Sequence, residues 1–140
     1  QLLVEEELTD IKQLRSLAVD FLDNGGGSGE EFCDYCQGDR DPRSSDNPEK
    51  AIISLKNDRE TEYKVYIAVQ NELVAAYNVL RNREFARLYP NEGLTYVEAD
   101  LKYSDPRTSV DDKSDLKDKL DVIKALYPQK LSEAEPSKVN

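Results

Sequence analysis

Two cysteines three positions apart, Cys33 and Cys36 in "FCDYCQGD", are the residues of this chain best suited to redox or metal chemistry. A closed zinc site needs four ligands, and this pair supplies two, with Asp34 or Asp39 as nearby oxygen donors. A thioredoxin-like centre needs its CxxC at a helix N-terminus after a strand, where the helix dipole lowers the thiol pKa. This CxxC follows the run "GGGSG" instead, which leaves a local disulfide or two free thiols in a variable loop, the choice depending on compartment. The step "NDRETEY", residues 57–63, is the second candidate, because strand ends in α/β units are favoured places for chemistry. It offers Asp58, Arg59, Glu60 and Thr61. These residue types suit a turn: Asp58 can accept backbone hydrogen bonds, and Thr61 can cap the helix that follows.

The remaining constellations carry less. The chain has no histidine, which removes the usual general base, the Ser-His and Cys-His nucleophile pairs and histidine metal sites. The acidic clusters "EEE", "GDRD" and "VDDKSD" lack the ligand spacing of a calcium loop and read as solvated faces. No carboxylate pair sits in an apolar setting that would raise one pKa for acid-base work. "GGGSG" lacks the Lys-Ser/Thr ending of a phosphate loop and reads as a flexible spacer. No cofactor and no metal are expected. With 29 acidic against 19 basic side chains, the net charge of -10 opposes phosphate backbones and anionic lipid head groups. A basic partner is expected, and nucleic acid is not.

The elements that must position these groups follow from periodicity. At 140 residues the chain is expected to form one domain around one core. Leu2 to Val4 suit a buried strand, and Thr9 or Asp10 can cap a helix with Ile11, Leu14, Ala18, Phe21 and Leu22 on one face. Asn24 and Gly25 stop it in a left-handed turn, and with "DRDPRSSDNP" all turn formers and charge, residues 25–48 read as a flexible exposed loop. "KAIISLKND" is a strand suited to a central position, through Ile52, Ile53 and Leu55. A long helix runs from Thr61 to Tyr89, with Tyr66, Leu73, Tyr77 and Leu80 on one stripe widened by Ile67 and Val74. Its length suggests that "RNREFARLY" projects or bends. Residues 91–112 read as a loop insertion with a hairpin or strand along Leu94, Tyr96 and Tyr103. A third helix starts near Ser114, with Leu116, Leu120, Ile123 and Tyr127 on one side and Pro128 at its end. "QKLSEAE" then returns as a strand, and residues 136–140 form a frayed tail. The order implies an α/β (α+β) fold in which two to three helices pack a small mixed sheet, with long mobile loops and some parallel pairing through right-handed crossovers. No run approaches the roughly 18 to 20 apolar residues of a membrane helix.

The segment "IISLKNDRETEYKVYIAVQNEL" resembles the periplasmic part of the ExbD/TolR family of biopolymer-transport proteins, in which a strand ends in an Asp, a short polar step follows and a helix begins. Asp58 matches that Asp and Tyr63 the Tyr that opens the helix, while Glu62 and Lys64 stand where Pro and Gly are common. The branch found in Bacteroides-type bacteria is matched more fully, by "NDR", "YIAVQNELVAAYNVLR" and "PQKLSEAEP" in that order, and by the opening "QLLVEEELTDIKQLRSLAVDFL". The resemblance covers most of the chain outside the loops around 25–48 and 91–112.

It implies a non-enzymatic periplasmic domain, homodimeric, whose full-length form is anchored in the inner membrane by a helix that this chain does not contain. Its implied partners are an ExbB-like channel protein and a TonB-like protein, and its implied role is to pass energy from the ion gradient to outer-membrane transport. A TolR-like domain that binds peptidoglycan and, from another class, a CxxC thiol-redox or metal-binding protein are the alternatives. The periplasm would favour a disulfide between Cys33 and Cys36. The family-motif turn, Asp58, Arg59, Thr61 and Tyr63, is expected to be structural or to touch a partner. Partner contacts can also come from an exposed strand edge that pairs with an extended segment.

Overall fold

The computed structural model describes residues 2–5, 11–56 and 63–134. Three short strands, β1 (Leu2–Glu5), β2 (Ile53–Lys56) and β3 (Leu131–Ala134), form one sheet in the order β1-β2-β3. Both pairings are parallel, with Leu2 and Leu131 on either side of Ile53. Among the described residues the sheet is therefore wholly parallel, where a mixed one was expected. Each described strand is separated from the next by helices, and a parallel pair needs such a crossover where a hairpin would make an antiparallel one.

Among the described residues four α-helices rather than two or three accompany the sheet: α1 (Ile11–Leu22), α2 (Tyr63–Leu88), α3 (Tyr96–Ser104) and α4 (Val110–Leu126). The anticipated α1 stripe is the buried one, through Leu14, Ala18 and Leu22. It packs with Leu73, Ala76, Tyr77 and Leu80 of α2 around Ile53 and Leu55, so both helices lie over the same face of β2. Ser54 points to the other face by the period-two rule, where its hydroxyl meets that of its β3 neighbour Ser132 at 3.1 Å.

The C-terminal half of α2 does not project. Phe85 is fully buried in a second cluster with Tyr96 and Ala99 of α3 and Leu116, Leu120 and Ile123 of α4. Here the 91–112 stretch is corrected from hairpin or loop insertion to helix. Thr95 and Glu98 form a capping box, in which Thr95 accepts from the Glu98 N–H and Glu98 accepts from the Thr95 N–H. Tyr96 and Ala99 then fall on one helical face. α4 also starts earlier than Ser114, because Ser109 caps it by accepting from the Asp112 N–H.

The 25–48 segment is irregular, as its composition implies, but it is a packed loop and not a free spacer. Gly25 adopts a left-handed φ of 65° and closes α1 as expected. A side chain on Gly26 would put its Cβ 2.3 Å from the Asp41 carbonyl oxygen, and one on Gly27 would meet the Glu31 carbonyl oxygen at 2.4 Å. These glycines are used for close backbone approach and not for flexibility. Asn24 holds the far side of the loop by donating to the Asp41 and Ser45 carbonyls at 2.9 and 2.7 Å. The helix caps Thr9 and Asp10, the turn residues Asp58, Arg59 and Thr61, and the tail 136–140 lie outside the described residues.

Candidate functional site

Cys33 and Cys36 are joined in a disulfide, and both are buried. Cys33 follows a 3-10 turn, Gly29–Glu31, and does not open a helix, so the sulfurs receive no help from a helix dipole. Among the described residues no group of three or more His, Cys, Asp or Glu is placed to hold a metal ion. Tyr63, the one described member of the family-motif turn, is the first residue of α2 and is 76% exposed. In chain order the disulfide loop precedes β2 and Tyr63 follows it.

The disulfide loop joins a cluster of charged and phenolic groups that links four parts of the chain. Asp23, just past α1, is 6% exposed and accepts from Arg83 of α2 at 2.7 and 3.1 Å. Arg83 also donates to Glu84 and to the Tyr127 hydroxyl, each at 3.0 Å, and to the Tyr35 carbonyl at 3.3 Å. Tyr127 in turn donates to Asp23 at 2.5 Å. Glu84 is fully buried and takes its second cation from Arg87. Burial and the hydrogen bond to Asp23 push the Tyr127 phenol far above its ordinary range. Burial works against the Arg83 charge, but the bonds to Asp23 and Glu84 outweigh it and hold the guanidinium protonated. The Tyr35 phenol is pushed up to about 12, first by burial and then by the charges of Glu49 and Glu84.

This cluster braces the start of β3. α4 ends before Pro128, and its last carbonyls need hydrogen-bond donors from elsewhere. Arg81 donates to the Tyr127 carbonyl at 3.1 and 2.8 Å, and the Tyr35 hydroxyl donates to the Leu126 carbonyl at 2.6 Å. The Lys130 N–H donates to the buried Tyr77 hydroxyl at 3.0 Å, while its carbonyl accepts from the Ile53 N–H at 3.0 Å. From that last bond the parallel pattern fixes the rest: Ser132 and Ala134 turn their N–H groups toward β2, and Leu131 and Glu133 turn theirs outward. Among the described residues nothing pairs with that outer edge of β3. An edge held in position by its own core, with backbone donors and acceptors facing out, is suited to accepting another strand.

The sequence reading did not find Asp23, Arg81, Arg83, Glu84, Tyr35 or Tyr127 as a group. One signal was present: Arg81 and Glu84 continue the core stripe of Tyr77 at helical spacing, and charge at core positions marks a buried polar network. No protein-family model, curated protein or solved structure matches the chain. No helix among the described residues is long and apolar enough to cross a membrane.

Proposed function

We propose that this chain is a periplasmic domain of the ExbD/TolR type, part of an inner-membrane subunit that works with ExbB-like and TonB-like partners to couple an ion gradient to outer-membrane transport. Its action in this reading is docking and not catalysis: an extended, basic segment of the TonB-like protein adds as a strand to the outer edge of β3. The observation that carries it is the braced, outward-facing edge of β3 in a chain with "NDR", "YIAVQNELVAAYNVLR" and "PQKLSEAEP" in order. The net charge of -10 favours a basic segment and speeds its encounter. A homodimer is part of the same proposal.

The test is a backbone block at the edge. Proline at Glu133 removes an outward N–H and leaves the inward bonds of Ser132 and Ala134 in place. Glu133→Pro is expected to abolish binding of the TonB-like segment while the far-ultraviolet spectrum stays native. Binding that survives Glu133→Pro, or retention on purified peptidoglycan without any response to the segment, would overturn docking at β3, and the second result would favour the TolR-like reading.

A further inference from the structure

The disulfide loop has no part in the docking contact itself, yet its hydrogen bonds lead to β3. We propose that the Cys33–Cys36 bridge is a remote positioning device for the β3 edge, acting through Tyr35, an inference that rests on docking at that edge. The bridge closes the turn that carries Tyr35. Arg40 fixes both ends of the same turn by donating to the Cys33 carbonyl at 2.9 Å and the Cys36 carbonyl at 2.7 Å, and it reaches the Gly25 carbonyl at 3.3 Å. It does so from a left-handed backbone, φ 55°, unusual for a side chain of this type.

With the turn clamped at both ends, the direction of Tyr35 is set. Its ring stands edge-on to the Tyr127 ring, centroids 5.5 Å apart, and its hydroxyl holds the Leu126 carbonyl. From Leu126 the chain turns at Pro128 and enters β3 at Leu131, a short span whose other anchors are Tyr127 and Lys130. Tyr35 is thus the loop's hold on the point where α4 hands over to β3. Opening the bridge leaves the turn to its hydrogen bonds with Arg40, Arg83 and Asp23, without the covalent closure around Tyr35, so the aim of Tyr35 and the handover loosen.

The test compares Tyr35→Phe, which keeps the ring and the bridge, with Cys33→Ser/Cys36→Ser and with all three substitutions together. The first readout is amide hydrogen exchange of the free domain at Ser132 and Ala134, whose N–H groups bond β2. The second is affinity for a synthetic basic peptide taken from the periplasmic segment of the TonB-like partner. Each variant is expected to speed exchange at Ser132 and Ala134 about fivefold, the worth of one ordinary hydrogen bond, and to weaken the peptide by a similar factor. Exchange at Leu73 of α2 and Ala99 of α3 is expected to stay unchanged. The triple variant is expected to resemble either parent, because both act through one path.

Unchanged β3 exchange in Tyr35→Phe with the peptide still bound would overturn the relay and leave docking standing. Faster exchange spread evenly over α2 and α3 would also overturn it, as general destabilisation. If the native domain fails to bind the peptide while β3 exchange still responds, docking fails and the proposed purpose of the relay fails with it, although the mechanical link remains.

Discussion

Replacing Arg83 by methionine tests the buried cluster most severely. The substitution keeps an unbranched chain in the helix but removes the bonds to Asp23, Glu84, Tyr127 and Tyr35 together. Among the described residues the Asp23 carboxylate keeps the Tyr127 hydroxyl and the Gln37 N–H, and Glu84 keeps Arg87. Breaking one side of a buried ion pair costs about 3 to 5 kcal/mol, because a charge is left without its partner. Two features place this case at the lower end. The Arg83 side chain is 29% exposed, and its Nε–H is buried without an acceptor, so the variant also relieves an unmet donor. A loss of about 3 kcal/mol corresponds to a fall of about 6 to 12 °C in melting temperature for a domain of this size. Calorimetry or urea titration of Arg83→Met measures it, with Arg43→Met as the control. Arg43 pairs with Asp41 on the open surface, and its loss is expected to leave the midpoint unchanged. The double variant Asp23→Asn/Arg83→Met is expected to be more stable than the sum of its parts, since neutralising Asp23 removes one of the abandoned charges. If Arg83→Met melted like Arg43→Met, the cluster would not hold the elements together.

Three further perturbations address separate parts of the structure. Gly26→Ala is expected to cost about 2 to 3 kcal/mol by forcing the Asp41 backbone away, whereas Gly29→Ala meets open space and is expected to cost only about 1 kcal/mol for its left-handed φ; equal urea midpoints would refute the close packing of the glycine run. Thr95→Ala removes one half of the capping box and is expected to cost about 1 kcal/mol, read as lost helicity and earlier melting of α3. The Tyr35 phenol is raised from 10.0 to about 12 in the folded chain, so the stability it contributes is intact below pH 10 and is lost as pH rises through about 12. The stability difference between the native chain and Tyr35→Phe is therefore expected to be level up to about pH 10 and to shrink by about pH 12, and a difference that grew with pH in this range would reverse the sign.

Local periodicity made much of the fold legible. Leu14, Ala18 and Leu22 of α1, Ile53 and Leu55 of β2, and Leu116, Leu120 and Ile123 of α4 all announced their buried faces, and the position of β2 between two partners agrees with its apolar character. α3 was missed because only Tyr96 and Ala99 are buried in a polar stretch that contains Gly93 and Pro106, and the overriding signal was the Thr95–Glu98 cap. The packing of the glycine-rich loop was not legible either. What makes Gly26 tight is Asp41, a contact that composition does not encode. The cluster around Arg83 illustrates the same limit, since Tyr127 and Asp23 meet across 104 positions of chain. The direction of β3 and the outward turn of Leu131 and Glu133 depend on register, which only the assembled sheet supplies.

The central claim is that β3 receives an added strand, and the most direct measurement is amide exchange at Leu131 and Glu133 before and after adding the TonB-like segment. Strand addition gives those outward N–H groups new acceptors, so their exchange is expected to slow about tenfold or more at saturating segment. Ser132 and Ala134, already bonded to β2, are expected to change less. Slowing confined to another surface, with Leu131 and Glu133 exchanging as in the free domain, would contradict the claim.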